Sequence, residues 1–544
     1  MQRIPSIKLV TAETARMLDA AASAVWGLHP FALVEAAGRG CAQVFAESFP
    51  GFFVPALRVM VFAGSGNNGA DAMVMLRAMI LRGHVSISRS VVVINHSTDA
   101  DIMANNPRAG ALRSLIKMGV PVLAWKDARS SPGIFSPTEG AALPYPLTQA
   151  DIIIDGIAGT GLKGPLRDEA SDMVACLNQV TVAVQSAEGT TLQRPCIVSI
   201  DVPSGNGDLW EPGMPILKAD VTLAIEPVKA ALYHPAARPW AGTIQVVGEV
   251  FPKALIDAFE GAELLNWECV HRRIPRIRGD TYKHQRGVVE IWAGSTGSAG
   301  AARIAARGSQ AAGAGLVRLM VDAPLYPILG ASAGGVMVVP VDTGNRADGT
   351  GAGPKERFHP DAVLLGPGWG TLEDRAFPLH KALDREAQGT PLILDADAIV
   401  LAKDCVFHGN AILTPHPGEF TALTGISKKA VLAHPGPILT QVAREKRAVI
   451  LFKSHVLIIA AEDGRLGMVD GMAPGLAAGG TGDLLAGLCA AIAARMNRNA
   501  QGFDGYTCAI AAATLLIATG TSLTFTDPLE LADKAAAIAG AAWL

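Results

Sequence analysis

The chain has 544 residues, more than one hydrophobic core usually serves, so it is expected to divide into at least two domains. Half the residues are hydrophobic and 17% are charged, and the formal net charge of -3 excludes a broad basic face for nucleic acid or an anionic membrane. Abundant Gly and Ala suit an α/β protein with buried parallel strands and closely packed helices.

Cysteines stand at 41, 176, 196, 269, 405, 489 and 508, with no CxxC and no zinc spacing. They read as small buried hydrophobes in a reducing, cytoplasmic setting. The opening MQRIPSIKLV lacks the apolar core of a signal peptide, and the apolar stretches 484–494 and 508–518 are too short to span a membrane.

In chain order, an apolar run at 57–63 leads through GSGNNGAD (64–71) into a helix over 72–82. Short strands follow at VVVIN (91–95), DIIID (151–155), IVSID (197–201) and VTLAI (221–225). A second strand, Gly-rich turn and helix occupy 288–293, 294–300 and 301–312, followed by strands at 362–366, 391–395, 411–415 and 449–453. Segments 126–150 and 341–359 read as surface loops. The basic, Pro-containing stretch 271–280 reads as a linker, giving halves of 1–260 and 275–544. This βαβ rhythm places functional residues at the carboxyl ends of parallel strands.

GSGNNG satisfies G-x-G-x-x-G, but the strand after it ends in Asn95 and His96 rather than the acidic residue a dinucleotide fingerprint needs. An NAD-dependent oxidoreductase is therefore set aside. Asp155 and Asp201 each close a strand with glycine nearby. Each alone reads as the start of a turn, and the pair shifts the balance toward a site. In GLAAGGTGDLLAGLCAAIAA (475–494), Gly479, Gly480 and Gly482 let the backbone wrap an anion at a helix start, with Asp483 in the first turn. The same Asp also reads as a helix cap, and Asp395 and Asp397 carry the same two readings.

AGGTGD before an Ala/Leu helix resembles the anion-hole motif of ribokinase-like kinases. With KHQRG (283–287), GSTGSAGAA (294–302), GPGWG (366–370), LDADA (394–398) and LTPHPGEF (413–420), it resembles the ADP/ATP-dependent NAD(P)H-hydrate dehydratase family over most of 280–495. The resemblance implies a ribokinase-like α/β domain that uses ADP or ATP with Mg²⁺ to remove water from hydrated NADH or NADPH. It assigns Ala301, Gly368 and His416 to the substrate and Asp483 to the base at its hydroxyl. Gly482 and Lys453, Ser454, His455, Val456 and Leu457 fall beside the nucleotide. The family has Gly where Ser454 stands, and an Asn-Pro-Gly run where this chain reads DGMAPG (470–475).

The first half resembles the NAD(P)H-hydrate epimerase domain over roughly 10–250, at TAETARMLD and EAAGRG (within 11–40), GSGNNGAD, DGIAGTGLKGPLR (155–167) and SIDVPSGNGD (199–208). This implies a Rossmann-like three-layer sandwich. Asn68, Asp155 and Ser204 would bind K⁺, and Asp201 would be the acid/base group at the ring. Asn67, Asn68, Gly69, Ala70 and Asp71 would hold the substrate with Gly159, Thr160, Gly161, Leu162, Lys163, Gly164 and Pro165. The family has GNNGGDG where this chain has GNNGADA, so Ala70 and Ala72 add methyl groups. The resemblances together imply a bifunctional repair enzyme with a small-molecule substrate and no nucleic-acid or membrane partner, with a homo-oligomer left open. Two alternatives remain: a ribokinase-like kinase of a vitamin precursor, and a dehydratase carrying a non-catalytic N-terminal module.

Overall fold

The computed structural model describes residues 6–54, 57–95, 102–130, 147–180, 182–186, 189–193, 195–331, 334–341, 359–370, 375–499, 502–521 and 526–544. The expected loops 126–150 and 341–359 fall largely outside these. The chain separates into two compact units, Lys8–Gly261 and Ala262–Leu544, the second also taking in Ser6 and Ile7. The stretch 271–280 belongs to the second unit. Val270 and Ile274 are buried in its core, Arg495 donates to the Pro275 carbonyl at 2.7 Å, and the Ile277 N–H donates to the Trp543 carbonyl at 2.7 Å.

In the first unit, β1 (Val59–Ala63), β2 (Ser90–Ile94), β3 (Val122–Ala124), β4 (Ile152–Gly156), β5 (Cys196–Ile200), β6 (Val221–Ile225) and β7 (Thr243–Val247) form a seven-stranded sheet. Its order is β7-β6-β5-β4-β1-β2-β3, and every pairing is parallel. The helices are α1 (Ala12–Ala24), α2 (Pro30–Ser48), α3 (Asn67–Leu81), α4 (Pro107–Lys117) and α5 (Asp168–Gln179). Val59, Val61 and Ala63 pack with α2, α3 and α4, while Met60 and Phe62 pack with Met173 and Leu177 of α5. Alternation along β1 thus feeds two cores and makes three layers. Strand order reverses between β1 and β4, so the crevice of the fold opens at their carboxyl ends.

In the second unit the strands are β8 (Ala262–Leu264), β9 (Val288–Trp292), β10 (Leu316–Asp322), β11 (Met337–Val341), β12 (Ala362–Leu365), β13 (Leu392–Leu394), β14 (Ala411–Leu413), β15 (Val449–Phe452), β16 (Val456–Ala460) and β17 (Leu466–Asp470). They run β8-β17-β16-β15-β14-β13-β12-β9-β10-β11, parallel except where β15, β16 and β17 form an antiparallel meander. Here the order reverses between β9 and β12. The helices used below are α6 (Ala299–Ala311), α7 (Asp397–Leu401), α8 (Pro417–Thr424), α9 (Thr481–Asn497), α10 (Gly505–Thr519) and α11 (Pro528–Trp543).

Every residue of α9 from Leu484 to Met496 is buried, as expected of a helix apolar all round. Backbones of α6 and α9 nearly touch. A Cβ at Gly487 would lie 2.2 Å from the Ala305 carbonyl oxygen, and one at Gly308 would lie 2.8 Å from that of Leu484. The C-terminal residues that carry no sequence motif form α10 and α11, whose apolar faces complete this core.

Candidate active sites

The first unit contains a cavity of about 660 Å³ at the carboxyl ends of its strands. Asn67, Asn68 and Asp71 enter it from the start of α3, Gly159–Leu162 from the loop after β4, and Asp201 from the end of β5. Gly69 and Ala70 do not line it: a Cβ at 69 would meet the Gly64 carbonyl oxygen at 2.5 Å, and Ala70 is fully buried in the core. Lys163, Gly164 and Pro165 lie beyond the lining residues. Ala70 and Ala72 are helical, neither has positive φ, and both pack into the core. At helical positions Ala is more favourable than Gly. The added methyl groups therefore pack into the core and are not part of the cavity lining.

Beside this cavity, Asp155 is fully buried. Its Oδ1 accepts from the Ser204 hydroxyl at 2.5 Å and the Ile157 N–H at 3.1 Å, and its Oδ2 from the Ser199 hydroxyl at 2.8 Å and the Ser204 N–H at 2.9 Å. All four donors are neutral, and burial pushes the carboxyl above its ordinary range despite them. The buried Asn68 Nδ2 has no hydrogen-bond partner among the described residues, and the side chain stands against Gly159. The three residues expected to hold K⁺ therefore gather where β4 and β5 end and α3 begins. The buried Asp155 carboxylate, whose hydrogen-bond donors among the described residues are all neutral, is an oxygen donor of the kind such an ion takes.

Sequence reasoning missed Lys229 and Asp19. Lys229 Nζ donates to Asp201 Oδ1 at 2.7 Å and to the Ile225 carbonyl at 3.0 Å. The Ile225 N–H also reaches Asp201 Oδ1, at 3.2 Å. Asp201 sits at φ +64, a conformation Asp tolerates better than most residues at a cost of about 1 kcal/mol. Burial, then the charges of Asp201 and Asp19, push Asp71 well above the ordinary carboxylate range, against the pull of Lys229.

In the second unit, α9 begins at Gly480, φ +95, where a side chain would strike Ile304 Cδ1 at 2.6 Å. Asp483 lies in its first turn. Its carboxyl is pushed up to about 6 by burial and by Asp395 and Glu419, against Lys453. Lys453, at the end of β15, donates to Asp395 Oδ1 at 2.7 Å and stands 3.7 Å from Glu419 Oε2. Thr414 also donates to Asp395 Oδ1, at 2.6 Å. Burial would drain the proton from Lys453, but Asp395, Glu419 and Asp483 outweigh it and raise the ammonium. Asp395 is thus an ion-pair partner, while Asp397 opens α7 and accepts the Gly370 N–H at 2.7 Å.

His416 caps α8. Its Nδ1 accepts the Gly418 and Glu419 N–H groups at 2.9 and 3.2 Å, leaving Nε2 3.3 Å from Glu419 Oε1. Glu419 is the missed member of this group, visible only as the closing residue of a capping box. Gly368, φ +55, lies against Ala301 and Ser298: its Cβ would come within 2.7 Å of Ala301 Cβ. Ala301 is one turn before the α6 residues that touch α9. Gly482 stands 3.5 Å, measured from an added Cβ, from Lys453 Nζ. Ser454 has no positive φ, and its hydroxyl donates to the Val456 carbonyl at 2.5 Å, so Ser fits where the family has Gly. His455 is exposed in this turn, whereas Val456 and Leu457 are buried strand residues.

A parallel sheet with a short antiparallel meander, a Gly-started buried helix and a strand-end lysine facing the helix's first-turn Asp define the second unit as ribokinase-like; the first is a Rossmann-like three-layer unit. Residues 289–536 match the family model described as NAD(P)H-hydrate dehydratase, and residues 30–231 the one described as YjeF-related protein N-terminus. A bifunctional NAD(P)H-hydrate repair enzyme of Gloeobacter violaceus is 30% identical over 514 residues, covering 91% of this chain and 90% of that one. Enzymes of the same name from Moorella thermoacetica and Escherichia coli are 28% and 26% identical, covering 89% and 88% of this chain and 88% and 84% of their own. A Bacillus subtilis ADP/ATP-dependent NAD(P)H-hydrate dehydratase, co-crystallised with ATP/Mg²⁺, is 25% identical with a TM-score of 0.43 over 51% of this chain and 96% of its own. The chain belongs to the family of bifunctional NAD(P)H-hydrate repair enzymes. Among the described residues no helix is long and apolar enough to cross a membrane.

Proposed function

We propose that the unit Lys8–Gly261 interconverts the two epimers of hydrated NADH or NADPH, and that the unit Ala262–Leu544 dehydrates the S epimer using ADP or ATP. The observation that carries this is the second site's geometry: a carboxyl poised near neutrality at a helix N-terminus, facing a strand-end lysine. Asp483 takes the proton of the substrate hydroxyl as that oxygen attacks the terminal phosphorus. Free N–H groups at the start of α9 and the Lys453 ammonium face the phosphates. The carbon–oxygen bond then breaks with its electron pair on the departing phosphate. The ring nitrogen supplies electrons, and loss of a proton from the adjacent carbon restores the ring double bond.

Among the described residues no group of three or more His, Cys, Asp or Glu is placed to hold a metal ion. Mg²⁺ would accompany the nucleotide and neutralise its phosphate charge. In the first unit Asn68, Asp155 and Ser204 would hold K⁺, which would neutralise the buried carboxylate beside the phosphate-binding loops. The cysteines, scattered singly along the chain without a CxxC, fit a reducing, cytoplasmic setting.

The test is to follow reduced-nicotinamide absorbance on adding Mg²⁺ and ADP or ATP to a mixture of the two hydrated epimers. Complete recovery, faster than spontaneous exchange, is expected. Recovery that stalls when one epimer is consumed removes the exchange activity, and no recovery with either nucleotide removes the dehydration.

A further inference from the structure

Three carboxylates, Asp19, Asp71 and Asp201, line the cavity of the first unit together with Lys229, which no sequence motif singled out. Lys229 and Asp201 are both nearly buried, and their contact is at one oxygen only. Oδ1 of Asp201 accepts from the ammonium and from the Ile225 N–H, while Oδ2 accepts no hydrogen bond among the described residues. Lys229 is itself anchored to the Ile225 carbonyl at 3.0 Å, so ammonium and carboxylate are fixed by the same residue at the end of β6. Arg16 also reaches the cavity, but its guanidinium is turned to the Thr160 carbonyl at 3.2 Å.

We propose that Lys229 is the positioning residue of the exchange site: by holding Oδ1 of Asp201 it leaves Oδ2 as the atom that takes the proton of the water adding back to the ring, while Asp71 on the same cavity gives its proton to the departing hydroxyl. The inference rests on the epimerase reading of this unit. Exchange requires the carbon–oxygen bond of the hydrate to break, its electron pair leaving on oxygen, which takes a proton and departs as water. The ring nitrogen lone pair forms the carbon–nitrogen double bond. Water then adds to the opposite face and returns one proton, so no oxidant or reductant is consumed. Such a cycle needs one protonated and one ionised group in the same cavity. Asp71, with its buried Oδ1 unpartnered, is placed as the protonated member. Asp201 is the member of the trio whose carboxylate contacts the Lys229 ammonium, at 2.7 Å, and it serves as the proton acceptor.

The experiment uses the full chain and measures exchange by NMR of the separated epimers, without nucleotide, as a function of pH. Wild-type exchange comes first, because its absence overturns the epimerase reading, not the role of Lys229. With wild-type exchange present, Lys229→Met is expected to lower kcat at least a hundredfold with KM changed less than threefold. It is also expected to move the acidic limb of the rate profile to higher pH, since Asp201 has lost its cation. Lys229→Arg is expected to restore the limb and part of the rate. A Met variant with the wild-type pH profile, or with a rise in KM alone, overturns the proposal. If Lys229→Met does not fold, Lys229→Gln, which keeps a donor but no charge, carries the same test.

Discussion

Lys453 Nζ lies 2.7 Å from Asp395 Oδ1, and the same ammonium opposes the forces that raise Asp483 toward neutrality. One cation thus pairs with a buried carboxylate and lowers the proton affinity of Asp483. Asp483 titrates near 6, so dehydration is expected to lose its base as pH falls through about 6, where an ordinary carboxylate would last to about 4. A pH profile of kcat/KM for dehydration checks this; a rate constant down to about pH 4.5 would contradict it.

The same shift has a sign for stability. The folded state binds the Asp483 proton more tightly than the unfolded chain, so that contribution is full below the unfolded value of about 3.8 and is lost as pH rises through about 6. Asp483→Asn is therefore expected to abolish dehydration, by a factor of a hundred or more, while leaving the protein at least as stable as wild type at pH 8. Denaturant titration beside the activity assay measures both.

Lys453→Met is expected to move the dehydration limb above pH 6 and to weaken nucleotide binding at least tenfold. It also leaves Asp395, which is 2% exposed, without its cation, at a cost of about 3–5 kcal/mol. Calorimetric nucleotide titration and urea unfolding separate the two effects.

Gly368→Ala combines a left-handed backbone with a methyl 2.7 Å from Ala301 Cβ. Local strain of about 1–3 kcal/mol and a lowered thermal midpoint are expected, with loss of dehydration at temperatures where the fold survives. Differential scanning calorimetry reads the first and the absorbance assay the second.

Ala70→Gly and Ala72→Gly restore the family's glycines in α3. Each is expected to cost about 1 kcal/mol, or somewhat more because the methyls are buried, without raising the exchange rate. A severalfold faster exchange would show that the methyls obstruct the site after all. Exchange is also expected to be faster in potassium than in lithium salts, a difference that Asn68→Ala should erase.

Much of this molecule was legible in the sequence because its parallel strands are buried on both faces. IIID is an unbroken apolar run that ends in Asp155, and IVSID, interrupted by the buried Ser199, ends in Asp201 at the cavity. Glycines at 368 and 480 were legible for the same kind of reason, since turn chemistry is local. Lys229, Glu419 and Asp19 were not, because each acts through a partner far away in sequence. Lys229 looks like an ordinary strand-end lysine until β5 and β6 bring Asp201 beside it. Ala70 and Ala72 were misleading in the opposite direction: a motif glycine suggests a turn, whereas these positions are the first turns of a helix. The basic stretch at 271–280 has the composition of a linker, yet Ile274 ties it into the core.

The near contact of α6 and α9 bears on how this enzyme can vary over evolution. Because main chain meets main chain at Gly308 and Gly487, the separation between the helix carrying Ala301 and the helix carrying Asp483 is set by atoms that no side-chain replacement alters. Substitution in the surrounding core can change stability while the spacing of these two helices is held by their own main chains.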